Sequence, residues 1–332
     1  MIRVTAIPYL NTTPFVYGLK QKMSASSIEL GYATPAQAAH QLQNDLCDIA
    51  IVPVAAVPAL PWYEIIGNHC IGAVSAVASV LLCSQVPVDQ IKEVALDSES
   101  QTSVRLAQLL LLDYWHITPH YVPLPVTTPH HAISSATSSA APPASSPTVS
   151  PATPPAASPR SASPHAVSPQ AATTPHHAIS SATSPATSPA ASPATSPVAS
   201  PTASPHSVSP QAATPLSRPE SVVLIGDKAL RYGGTYPYVY DLAEHWIRWS
   251  GKPFVFALWV ANKPLPPHFA DTFSDALAYG VAHIPETIAE NIAAQTDNRF
   301  PPEVAYNYLT HNISYPLDAA KREGMHLFWE LI

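Results

Sequence analysis

Three short stretches of this chain carry side chains able to grip a small polar anion. The first is Ile7-Pro8-Tyr9-Leu10-Asn11-Thr12-Thr13-Pro14-Phe15. Here Tyr9 offers a ring and a hydroxyl, Asn11 an amide donor and acceptor, and Thr12 or Thr13 a helix N-cap. The second is Asp97-Ser98-Glu99-Ser100-Gln101-Thr102-Ser103, hydroxyls at the start of a helical pattern. Free backbone N–H groups at such a start favour a carboxylate or phosphate. The third is Gly226-Asp227, at the end of an apolar strand. Read locally, the same Ser and Thr residues could do no more than cap their helices, and Asp97 and Asp227 could be bases or merely order turns. A Gly-rich phosphate loop, G-x-S-x-G and H-E-x-x-H are all missing from the sequence. No metal, nucleotide or other cofactor is therefore expected.

All three stretches follow predicted strands, and open α/β proteins bind ligands at strand ends. The pattern predicts strands over 3–7, 28–32, 47–54, 63–68, 76–82, 92–96, 120–123, 222–225 and 253–260. Helices are predicted over 15–20, 35–44, 104–114, 241–249, 269–279, 285–296 and 319–331, with Gly251 stopping the fourth. The continuous apolar run at 47–54 fits a strand covered on both faces. This alternation predicts largely parallel sheets with helices on both sides.

Composition divides the chain sharply. Residues 126–215 hold 19 of the 39 prolines and one charged residue, Arg160. Within them, Thr-Thr-Pro-His-His-Ala-Ile-Ser-Ser-Ala-Thr-Ser occurs at 127–138 and again at 173–184. Too few large apolar side chains are present to offset the entropy of ordering, so a disordered, polyproline-biased insert is expected. Net charge is −7, with 15 Lys and Arg in all and no cationic block. That argues against nucleic acid and against an anionic membrane surface as partners. Cys47, Cys70 and Cys83 lack C-x-x-C spacing and sit in apolar segments, as buried free thiols of a reducing compartment would. His69, beside Cys70, is expected to be packed rather than catalytic. No basic-then-apolar leader and no apolar run of ~18 residues occurs, so a cytoplasmic protein is expected.

The ordered segments resemble the chorismate dehydratases of the futalosine route to menaquinone, the MqnA family. The resemblance rests on Tyr9-Leu10-Asn11-Thr12-x-Pro14, Asp48-Ile49-Ala50-Ile51-Val52-Pro53-Val54, Ser79-Val80-Leu81-Leu82, and Ala95-Leu96-Asp97 with Ser100-x-Thr102-Ser103. It continues in Leu224-Ile225-Gly226-Asp227, Tyr238-Val239-Tyr240-Asp241 and Tyr315-x-Leu317. It implies a two-lobe fold like that of type II periplasmic binding proteins. Lobe one would comprise 1–84 and 256–332, lobe two 85–125 and 216–255, with the insert 126–215 in lobe two. It also implies the conversion of chorismate to 3-[(1-carboxyvinyl)oxy]benzoate and water. Asn11 would orient the substrate, Ser100, Thr102 and Ser103 would hold a carboxylate, and Tyr9, Thr12, Ser79, Ser98, Gly226 and Asp227 would complete the site. The proton acceptor would be the substrate's own side-chain carboxylate, or alternatively Asp97 or Asp227. Two departures stand out: Gln101 replaces an Arg found in many relatives, and the insert replaces a short helical connection. The rival reading is a solute-binding module of the same fold, without catalysis. No oligomeric state is implied.

Overall fold

The computed structural model describes residues 1–97, 99–124, 219–294 and 300–332. The expected insert 126–215 lies outside the described residues, as does Ser98. The first half of the chain runs β1 (Ile2–Ala6), α1 (Thr13–Lys22), β2 (Ile28–Tyr32), α2 (Pro35–Gln43), β3 (Ile49–Pro53) and β4 (Glu64–Ala73). Then come β5 (Val80–Ser84), β6 (Glu93–Leu96), α3 (Gln101–Leu109) and β7 (His120–Pro123). Beyond the insert lie β8 (Ser221–Ile225), α4 (Gly226–Tyr232), β9 (Tyr238–Asp241), α5 (Leu242–Ser250) and β10 (Phe254–Ala261). The chain finishes with α6 (Phe269–Ala282), α7 (Ile284–Ala294), α8 (Pro302–Asn307), β11 (Ser314–Pro316) and α9 (Ala319–Leu331).

These strands form two sheets, ordered β11-β4-β10-β3-β1-β2 and β7-β6-β8-β5-β9. Both are mixed, which corrects the expectation of largely parallel sheets. β1 pairs parallel with β2 and β3, and β6 with β7 and β8. β10 runs antiparallel to β3 and β4, β11 to β4, and β5 to β8 and β9. The reason is the route of the chain. A parallel neighbour needs a crossover on the same sheet. β5 and β10 instead follow strands of the other sheet, so nothing imposes the parallel sense. The passages fall between Ala73 and Val80 and between Asp241 and Phe254. The expected lobe-one segment 1–84 thus ends in a strand that pairs in the second sheet.

Strands β3, β5, β8 and β10 are buried along their whole length. In β5 and β8, Val80, Leu82, Val223 and Ile225 join the main core, while Leu81, Cys83, Val222 and Leu224 pack on the opposite face. Covering both faces is what turns these strands into unbroken apolar runs. All three cysteines are buried thiols outside any disulfide. His69 is half-buried, its ring edge-on to Phe15 at 6.2 Å, and burial lowers its pKa.

Helix α1, which follows the Asn11 turn, packs against α6 with almost no gap. A Cβ added at Gly18 would sit 1.9 Å from the Ala276 carbonyl oxygen, and one at Gly280 would sit 1.8 Å from that of Pro14. Among the described residues no helix is long and apolar enough to cross a membrane.

Candidate functional site

Strand β1 runs into a tight turn that presents Asn11. A single 3-10 turn, Leu10–Thr12, leads directly into α1. Thr12 occupies the N-cap position but makes no side-chain cap. Its hydroxyl donates backwards, to the carbonyls of Ile7 and of Tyr9, the latter at 2.8 Å. The Thr13 hydroxyl donates to the Leu10 carbonyl at 2.7 Å. The expected helix cap is therefore a turn lock. Both hydroxyls reinforce backbone bonds of the turn, in which the Thr12 N–H donates to the Tyr9 carbonyl at 3.1 Å and the Thr13 N–H to that of Leu10.

Asn11 is buried and held at two points. Its side-chain amide donates to the Tyr308 hydroxyl at 3.1 Å, and its backbone carbonyl accepts from the Tyr315 hydroxyl at 3.1 Å. Tyr308 opens a π-helical turn, Tyr308–Asn312, directly after α8. Burial pushes both phenols upward, opposed at Tyr308 by hydrogen bonds with Ser79 and Asn11. Both therefore stay neutral and can act as hydrogen-bond donors.

The second sheet supplies the facing wall. Ser100 is the N-cap of α3, accepting from the Ser103 N–H at 3.3 Å and donating to the Ser103 hydroxyl at 2.9 Å. Gly226 takes a left-handed φ of +54°, and a Cβ there would lie 3.0 Å from the Tyr9 ring. A side chain at 226 would be both strained and in the way. The loop before β5 is anchored by Asp241, which caps α5 and accepts from the Ala78 N–H at 2.7 Å. Ala78 has a φ of +61° and fixes the approach of Ser79. Burial raises the pKa of Asp241, although four backbone N–H groups oppose it.

Among the described residues, hydrogen bonds tie the Asn11 turn and the turn after β3 to elements of the second sheet. The Tyr9 hydroxyl donates to Glu99 at 3.4 Å, the Leu10 N–H to Asp227 at 3.1 Å, and the Ala55 N–H to the Thr102 hydroxyl at 3.2 Å. Lys228 braces this seam, donating to Asp97 at 2.9 Å and to Glu99 at 3.0 Å. Burial alone would lower the Lys228 pKa, but the two carboxylates outweigh it and raise it. Burial raises Tyr9 strongly, helped by the charges of Glu99, Asp97 and Asp227.

Between the sheets lies a cavity of about 60 Å³. Tyr9, Asn11, Thr12, Ser79, Ser100, Ser103 and Gly226 line it, with Ile7, Ile71, Ile225 and Phe256 among the apolar walls. Seven of the predicted residues are thus brought together. Thr102 and Asp227 are not on the wall; their polar atoms tie the sheets to one another. Asp97 is off the wall too: it accepts from Lys228 and from the Glu99 N–H. The sequence reading gave no site role to Glu99, Lys228, Asp241, Tyr308 or Tyr315, although Glu99, Asp241 and Tyr315 stand in the segments it singled out. Glu99 and Lys228 adjoin predicted residues and were open to inspection, whereas the two tyrosines reach Asn11 from some 300 positions away.

The lining sets the Asn11 amide, the Tyr9 phenol and several hydroxyls among apolar walls, the mix by which ligand pockets orient a small molecule. Comparison with solved structures finds a protein from Archaeoglobus fulgidus at 12% identity, covering 99% of this chain and 96% of that one, with a TM-score of 0.56. An ABC transporter from Parabacteroides distasonis matches at 12% identity over 100% and 91%, TM-score 0.53. A protein from Bordetella bronchiseptica matches at 8% over 100% and 89%, TM-score 0.55. At such identities the likeness shows the fold alone, a two-sheet α/β architecture of the periplasmic-binding-protein type. The sequence family described as menaquinone biosynthesis matches residues 2–141 and 198–332, most of the chain and both walls of the cavity. This chain belongs to that menaquinone biosynthesis family, as its resemblance to MqnA implied.

Proposed function

We propose that the protein is a cytoplasmic chorismate dehydratase, a hydro-lyase that forms 3-[(1-carboxyvinyl)oxy]benzoate and water. The observation that carries this reading is Asn11, buried at the strand end, held from behind by Tyr308 and Tyr315 and lining a hydroxyl-bearing cavity. Family membership supplies the metabolic setting.

The reaction removes a ring proton beside the enol ether and the neighbouring hydroxyl, leaving an aromatic ring. Aromatisation supplies the driving force, so the protein's task is chiefly to hold one geometry. Asn11 orients the substrate at the reacting carbons. Ser100 and Ser103, at the start of α3, receive a carboxylate, and Tyr9, Thr12, Ser79 and Gly226 shape the wall. Thr102 and Asp227 act indirectly, by keeping the sheets in register. Asp97 and Asp227 are already engaged with Lys228 and the Leu10 N–H, which favours the substrate's own side-chain carboxylate as the proton acceptor. The cavity of about 60 Å³ is smaller than an engineered pocket of roughly 150 Å³ that accepts benzene. Substrate admission therefore requires the sheets to part.

The test is purified protein with chorismate and no added cofactor, followed by mass spectrometry. A product lighter by one water with an aromatic ultraviolet spectrum supports the reading. Chorismate recovered unchanged from folded protein sinks it and leaves the binding-module alternative, which the fold alone would also accommodate.

A further inference from the structure

A second hollow opens beside the first. It has a volume of about 840 Å³ and runs between α2 and α3, over the short turn that follows β3. Ser100 lines both this groove and the inner cavity. Its size falls within the range of roughly 300–1,000 Å³ typical of small-molecule sites, which the inner cavity does not reach.

The lining is selective in its charge. Gln101, Arg105 and Gln108 lie three or four residues apart and so share one face of α3. His40 and Gln43 face them from α2. Among the described residues no Asp or Glu lines the groove. Arg105 is exposed and, among the described residues, has no ion pair. An unpaired guanidinium carries a permanent charge and a planar set of donors that matches a carboxylate. The chain as a whole carries −7, so an anion approaching it needs a local positive field.

We propose that this groove is the approach site for a small dicarboxylic acid, with Arg105 as the residue that first receives a carboxylate and passes the ligand to Ser100 and the inner cavity. The proposal rests on the reading of the substrate as chorismate, a ring with two carboxylates.

The test compares wild type, Arg105→Gln and Arg105→Lys in chorismate turnover at low and high salt. Arg105→Gln is expected to lower kcat/KM by about 10-fold at low salt, the loss carried by KM, and to flatten its salt dependence. Arg105→Lys should recover part of the loss. A kcat/KM for Arg105→Gln within twofold of wild type, with the same salt dependence, overturns the proposal. If wild type converts no chorismate, the functional reading fails separately. The groove is then tested by NMR titration of labelled protein with benzene-1,3-dicarboxylate. Shifts at Ala55, Ala56, Gln101 and Arg105 that vanish in Arg105→Gln support the groove; no shift there overturns it.

Discussion

The side-chain amide of Asn11 and the hydroxyl of Tyr308 form a 3.1 Å hydrogen bond across 297 positions of sequence. It fixes the direction of the Asn11 amide on the wall of the candidate cavity. Removing the hydroxyl in Tyr308→Phe leaves a buried N–H without that partner, at a cost of about 1–3 kcal/mol. Thermal unfolding should register this. Turnover of chorismate should fall by roughly 10-fold or more, because the amide is free to turn.

Asn11→Ala should separate chemistry from folding. Turnover is expected to drop at least ~100-fold, the scale at which misplaced reactants lose rate. The melting temperature should change far less than in Tyr308→Phe. Near-normal turnover in a folded Asn11→Ala protein would remove this residue from the mechanism.

Lys228 lies off the cavity wall but joins Asp97 and Glu99. Lys228→Ala leaves the Asp97 carboxylate, with 5% side-chain exposure, facing Glu99 without a cation. Lys228 is itself 35% exposed, so solvent screening limits the stability loss to about 1 kcal/mol. Denaturant titration would measure that. The larger effect should be on kcat/KM, since Glu99 would lose its position against Tyr9.

Asp48 should contribute to the acid limb of stability. Burial alone would raise its pKa, but hydrogen bonds from Arg3 and Lys263 outweigh burial and hold it well below the usual carboxylate range. A depressed folded-state pKa contributes stability that is present above the unfolded value of about 3.9 and is lost as pH falls through the folded value. Denaturation midpoints between pH 7 and pH 2 should therefore fall steeply below about pH 4. Asp48→Asn should be less stable at pH 7 and should lack that part of the decline.

Gly18→Ala tests the contact between α1 and α6. The added methyl meets the Ala276 carbonyl at 1.9 Å, and overpacking of this kind costs about 1–3 kcal/mol or more. Gly31→Ala is the control, since its nearest neighbour would be 3.9 Å away. Calorimetry should show a clear loss for the first and little for the second. A Gly18→Ala protein as stable as Gly31→Ala would contradict the packing described.

Much of this was open to reading in the sequence, and what was not has a physical pattern. Strands 28–32 and 120–123 and helix 319–331 have the expected bounds because turn residues flank a clear apolar rhythm. β9 was missed: it is an edge strand with Tyr238 and Val239 exposed, so no buried face marks it. α4 was missed because it is short and starts on a left-handed glycine rather than a capping residue. Strand ends announced Tyr9, Asn11 and Ser100 through local chemistry. Tyr308 and Tyr315 had no such signal, since their role depends on how the C-terminal elements return to β4 and the Asn11 turn.

The hydrogen bonds that cross from Tyr9 to Glu99, from Leu10 to Asp227 and from Ala55 to Thr102 make the protein a competitor for its own cleft. Whatever holds the sheets together without a ligand must be undone before one can come in. Measured affinity is then the intrinsic affinity scaled down by the fraction of molecules standing open. Weakening a tie, as in Thr102→Val, would raise that fraction and tighten first capture, while leaving the reacting geometry less firmly enclosed. Selection on this seam acts on a ratio between admission and enclosure rather than on stability alone.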